Sequence, residues 1–190
     1  MKDTYVTAKL VQKDLIRLVV FSSLPWEKIE PILLCDGVAS PKMSPTRMNT
    51  LSSIAIADFR LLAPLALGKS YFLEMPQYGS IPLDVSEATN FPGFDEEFSY
   101  DGDDLGSHYH KDHTDFAIWA PLASNVALYY KEKDGDPWII RSCDRGEKGV
   151  YRIRVEGEIS AIQKWEYLQK VLRNYKGVVH NFALFSPGPD

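Results

Sequence analysis

The sequence predicts an all-β chain of two sandwich-like domains with a helix near the C-terminus, and three observations carry that reading. Short runs of β-branched and aromatic residues recur between turn signals as far as Val155, the pattern of sandwich strands. Acidic, Pro and Gly residues gather over Ser86 to Asp104 and split those runs into two groups. Helical spacing comes only after Ile159, where Ala161, Trp165, Leu168, Leu172 and Tyr175 follow alternating steps of four and three.

In the first group, Leu15 to Phe21, Ser53 to Leu62, Ser70 to Met75 and Ser80 to Leu83 read as strands. The strings "CDG", "SPKMSP", "LGK" and "PQYG" between them carry the Gly, Pro and Asp that turns favour. The segment Ser86 to Asp104 contains Phe91, Phe94, Phe98 and Tyr100. A flexible tether would be polar, so an ordered strap is expected, with domains over 1–88 and 89–190. In the second group, Thr114 to Trp119, Asn125 to Tyr130, Trp138 to Arg141 and Val150 to Val155 are the strands. "KDGDP" and "DRGEKG" punctuate them, and Asp134 to Asp136 reads as a hairpin turn. The helix ends near Gly177 after Arg173 and Lys176, and "VVHNFALF" reads as a last short strand.

With 190 residues, the chain has room for one large domain or two of about 100 residues each. Apolar residues make up 45% and charged residues 25%, close to the globular average. The net charge is −5 and the 21 Lys and Arg are scattered, so nucleic acid is not the expected partner. The longest apolar run is broken by Arg17 and is far shorter than the roughly 20 residues a membrane span needs. The start lacks a signal-peptide core, and the cytoplasm is the expected compartment. Cys35 and Cys143 form no C-x-x-C pair and are expected as buried free thiols in separate domains. Neither a G-x-S-x-G elbow nor a Gly-rich phosphate loop occurs, and no cofactor is indicated.

Two clusters invite chemistry. In "YDGDDLGSHYHKDH", His108 and His110 stand two apart, so on a strand both emerge from one face within reach of one cation. Asp101, Asp103, Asp104, Asp112 and His113 could add ligands. The spacing matches neither H-E-x-x-H nor the calcium loop, so a turn followed by a solvated strand is favoured and no metal ligand is assigned. The 26 acidic residues single out no hydrolytic pair. The aromatic residues, 12% of the chain, offer stacking faces for sugar rings. Trp138, following a turn, and Tyr129 and Tyr130, of which alternation sends one outward, are the candidate carbohydrate contacts. Trp119 is expected in the core.

The string "GFDEEFSYDGDDLGSHYHKDHTDFAIWAPLASNVALYY" resembles the segment of bacterial type I pullulanases, in glycoside hydrolase family 13, that enters their carbohydrate-binding-module family 48 domain. The matching residues run from Phe94 through Tyr100, Asp101 and Gly102, then Leu105, Gly106, Phe116, Trp119, Ala120, Pro121, Ala123 and Val126. Glu147 to Gly157 fits a later strand of that domain, and Ser70 to Phe94 resembles the end of the preceding one. The resemblance implies two immunoglobulin-like, early-set sandwiches, with the motif residues structural and Leu105 plugged into the core. It implies a parent enzyme that cleaves α-1,6 branches of pullulan, starch or glycogen. In that family the catalytic carboxylates and a Y-N-W-G-Y motif sit in a downstream (β/α)8 barrel, which needs about 250 residues. This chain is therefore expected to be non-catalytic, with an α-glucan and the barrel as its partners.

Where the family continues past "VEG" with a G-x-x-Y-x-Y strand, this chain has "EISAIQKWEYLQKVLRNY". An atypical tail from about residue 158, from a truncated or frame-shifted gene, is expected, with the second sandwich short of one or two strands and an edge left open. Three alternatives follow: a stand-alone interaction module using that edge, a metal-binding protein through His108 and His110, or a complete hydrolase.

Overall fold

A computed structural model describes residues 5–21, 30–40, 43–51, 54–132 and 135–157. Its contacts divide the chain into units 1–95 and 96–190. Among the described residues, the first unit has eight strands: β1 (Tyr5–Gln12), β2 (Leu15–Phe21), β3 (Ile32–Cys35), β4 (Val38–Ala39), β5 (Ser44–Leu51), β6 (Ile54–Arg60), β7 (Tyr71–Met75) and β8 (Gly79–Asp84). They form one ladder, β4-β3-β7-β8-β1-β2-β6-β5. The ladder is two antiparallel halves of four strands joined by a short parallel link, Ala8 with Leu83 and Lys9 with Asp84. Ile16, Leu18, Val20, Ala57 and Phe59 of one half share a buried cluster with Leu33, Tyr71, Leu73 and Met75 of the other. The halves therefore face each other across one core, which makes the unit a sandwich.

Period-two alternation shapes its strands. On β2, Ile16, Leu18 and Val20 are fully buried while Arg17 and Val19 are half-buried on the other face. Across the pair, Arg17 lies opposite Asp58 of β6 and holds its carboxylate with two bonds of 2.8 and 2.9 Å. The "CDG" turn joins β3 to β4, with Asp36 at φ 50° and Gly37 at φ 81°. Two successive left-handed residues give the twist a tight hairpin needs.

Asp58 is buried, yet the Arg17 guanidinium holds its carboxyl below the usual carboxylate range, outweighing the opposing effect of burial. A depressed folded-state value contributes stability above the unfolded carboxyl value of about 3.9 and loses it as pH falls through the folded value. Asp58→Asn is thus expected to lower the urea midpoint at pH 7. Its deficit against the wild type should shrink on acidification below about pH 4. A deficit unchanged by acid would show that the carboxylate charge is not what stabilises this pair.

Between the two groups of strands, a 3-10 turn (Ser86–Asn90) precedes α1 (Phe94–Phe98). Ala88, Phe94 and Phe98 are buried, and Phe91 packs on the first core. The expected strap is ordered, and the division between the units falls inside it.

Among the described residues, the second unit has β9 (Gly106–Tyr109), β10 (His113–Trp119), β11 (Ala127–Tyr130), β12 (Ile139–Ser142), β13 (Asp144–Arg145) and β14 (Val150–Glu156). One sheet has the order β13-β14-β10-β9, and β11 pairs with β12 in another. Tyr130 and Val155 are buried together, with Phe116, Leu128 and Ile139 packed on them. These residues come from both sheets, so the second unit is also a sandwich. Leu105 is half-buried, not the core plug expected from the motif. Cys35 and Cys143 are free and half-buried, less enclosed than expected; burial raises the Cys143 thiol above its ordinary value. No helix among the described residues is long and apolar enough to cross a membrane. The expected tail helix, its cap at Gly177 and the last strand lie outside the described residues.

Candidate functional site

The family motif residues build a frame. Tyr100 donates its hydroxyl to Asp104 Oδ1, while Arg152 of β14 donates to Asp104 Oδ2 at 2.8 Å and to the Tyr100 hydroxyl at 2.8 Å. Asp104 pushes the Tyr100 hydroxyl up, and Arg152 holds Asp104 below the carboxylate range. A Cβ on Gly102 would collide with the Tyr100 ring, so glycine between Asp101 and Asp103 is what lets that ring lie there. Asp101 itself is exposed.

The "WAP" stretch clamps three segments. The Trp119 Nε1–H donates to the carbonyl of Phe98 at 2.9 Å and to that of Lys148 at 3.1 Å. Ala120 N–H donates to Gly149 O at 3.0 Å, and Pro121 is buried against Gly149. Arg145 then donates to Pro121 O and Ala123 O, and Tyr151 donates its hydroxyl to Ala123 O at 2.6 Å. Trp119, expected in the core, is 40% exposed and works from the end of its strand, where its N–H can reach two carbonyls.

The candidate sugar-facing surface is the outer face of the β11–β12 hairpin. Tyr129 pairs with Ile140 and Tyr130 with Ile139, so neighbouring residues point to opposite faces. Tyr130 is only 5% exposed. It packs with Leu128 and Val155 in the core and has no ring face for a sugar, which removes it from the expected set. Tyr129 lies outward and half-buried, beside Ile140 and Trp138, which are 58% and 40% exposed. Lys131 places its Nζ 4.8 Å from the Trp138 ring centroid. Two aromatic rings, one aliphatic side chain and one ammonium therefore line a single face, offering apolar surface for sugar C–H faces and a donor for hydroxyls. Trp138 and Tyr129, expected from the sequence, thus lie on one face together with Ile140 and Lys131, which the sequence did not single out.

His108 and His110 share one face of the β9–β10 hairpin, as expected. His108 lies opposite Asp115 on paired strands. The groups that converge, with ligand atoms within 4.8 Å of one another, are His110, His113 and Asp115.

Comparison with known proteins bears on this geometry. The model of the family described as carbohydrate-binding module 48 (isoamylase N-terminal domain) matches residues 104–188. The β11–β12 hairpin and the Trp119–Ala120–Pro121 stretch both fall within the matched residues. A curated pullulanase of Bacillus subtilis (strain 168) is 34% identical over 113 residues, covering 58% of this chain and 15% of that protein. The chain thus spans only a small part of that relative's length. Among solved structures, the pullulanase of Anoxybacillus sp. LM18-11 complexed with maltotriose matches 82% of this chain and 22% of its own, with a TM-score of 0.70 and 22% identity. The type I pullulanase of Bacillus subtilis str. 168 complexed with maltose matches 83% of this chain and 22% of its own, with a TM-score of 0.67 and 22% identity. The likeness covers residues of both units, and the fold it shows is the all-β, immunoglobulin-like one expected from the sequence.

Proposed function

We propose that this chain is the non-catalytic front of a pullulanase-type debranching enzyme, holding α-glucan on the outer face of the β11–β12 hairpin and supporting a catalytic barrel. The observation that carries the reading is the outward row of Tyr129, Ile140 and Trp138 on a family 48 module. An exposed Trp138 beside an outward Tyr129 offers ring faces for sugar rings, and Lys131 against Trp138 can donate to ring hydroxyls. The maltotriose and maltose complexes of the two similar pullulanases support an α-glucan, such as pullulan, starch or glycogen, as the ligand class.

The frame around Trp119 and Arg152 serves a support role in this reading. It consists of bonds among the second unit's own groups. The purified 190-residue chain is expected to co-sediment with glycogen and to release no reducing sugar from pullulan. Reducing-sugar release would overturn the non-catalytic reading, and failure to co-sediment would reduce the module to a support.

A further inference from the structure

We propose that His110, His113 and Asp115 form a binding site for a divalent transition metal of the zinc class. Its three donors all lie on the β9–β10 hairpin. Lys111 and Asp112 make a two-residue turn, closed by the His110 N–H donating to the His113 carbonyl at 2.8 Å. Residues flanking such a turn are cross-strand neighbours on one face, and Asp115, two residues beyond His113, follows on that face. The end of β14 is latched to the same turn, with Gly157 N–H donating to Asp112 O at 2.7 Å.

The donor set is arranged for a cation. Asp112 Oδ1 lies 2.8 Å from His113 Nδ1, a contact that suits the neutral ring with its proton on Nδ1, in which Nε2 is left to bind a cation. A carboxylate on the far nitrogen is how metal-binding histidines are oriented. The His113 Nε2 lies 3.4 Å from Asp115 Oδ2, and His110 Nε2 lies 3.8 Å from the same oxygen. Ligands about 2.0 to 2.2 Å from a tetrahedral zinc stand roughly 3.4 Å from one another, so small movements complete the site. Arg154 forks onto Asp115 at 2.8 and 2.9 Å, fixing the carboxylate while each oxygen keeps a second lone pair. The His113 side chain is 16% exposed and is the fixed ligand. That of His110, stacked on it at 4.4 Å, is 51% exposed and can turn toward the ion. Two imidazoles and one carboxylate are the donors that zinc and its neighbours take, with a coordination position left to water.

The test is calorimetric titration of the untagged 190-residue chain with Zn²⁺, paired with thermal unfolding. One equivalent is expected to bind and to raise Tm. His110→Ala and His113→Ala should each weaken binding at least about tenfold, and Asp112→Asn about tenfold through the lost orientation. His180→Ala, the remaining histidine outside this hairpin, should leave binding unchanged. His110 is exposed, so its variant reads out the site even where His113→Ala perturbs folding. Absence of binding to the wild type, binding that survives His110→Ala, or loss of binding in His180→Ala would each overturn the site.

Discussion

Gly149→Ala is expected to unfold the second unit or leave it barely stable. Gly149 is buried with φ +73°, and a Cβ there would overlap the Pro121 Cα and lie 2.8 Å from its Cβ. A left-handed alanine costs about 1–2 kcal/mol, and overpacking against fixed backbone adds about 1–3 kcal/mol. The sum is a large share of the roughly 5–15 kcal/mol that holds a domain folded. Pro121 cannot retreat, because its carbonyl is held by Arg145 and its neighbour Ala120 is bonded to Gly149 O. Gly157→Ala is the control: its φ is +94° with nothing within 4 Å of the added carbon among the described residues, so the backbone cost of about 1–2 kcal/mol is what is expected there. Urea unfolding of both variants measures the difference. Equal losses would show that the contact with Pro121 is not what demands glycine.

Trp138→Ala is expected to remove glucan binding while leaving the fold intact. Its ring is 40% exposed beside Tyr129 and Ile140, with Lys131 against it, so truncation opens no core cavity. An aromatic anchor at the centre of a contact is worth about 2 kcal/mol, roughly a thirtyfold loss of affinity. Calorimetry with linear maltooligosaccharides checks the affinity, and Tm should stay within about 4 °C of wild type. A large fall in Tm would place Trp138 in the fold's support instead of its surface.

Much of the fold was legible because burial imposes period-two alternation. β2 and β6 show it, and the "CDG" turn announced its two left-handed residues. β5, with "SPTRMNTL" exposed along its whole length at the ladder's edge, has no buried face and so no pattern to read. β1 does alternate, with Ala8 and Leu10 buried, but small and charged neighbours blur the signal. The phase of β11 was available: Val126, Leu128 and Tyr130 share the more apolar face, which points Tyr130 inward. Period two placed His108 and His110 on one face, but the stacking of His113 on His110 comes from the chain reversal, which that period does not encode. Arg152 with Asp104, 48 positions apart, left no local trace.

Electrophoresis of the 190-residue chain through native gels with and without glycogen tests the central claim most directly. Retardation of the wild type by glycogen, abolished in Trp138→Ala, is the predicted result. Equal mobility of the wild type in both gels would contradict the assignment of the β11–β12 face as a glucan-binding surface.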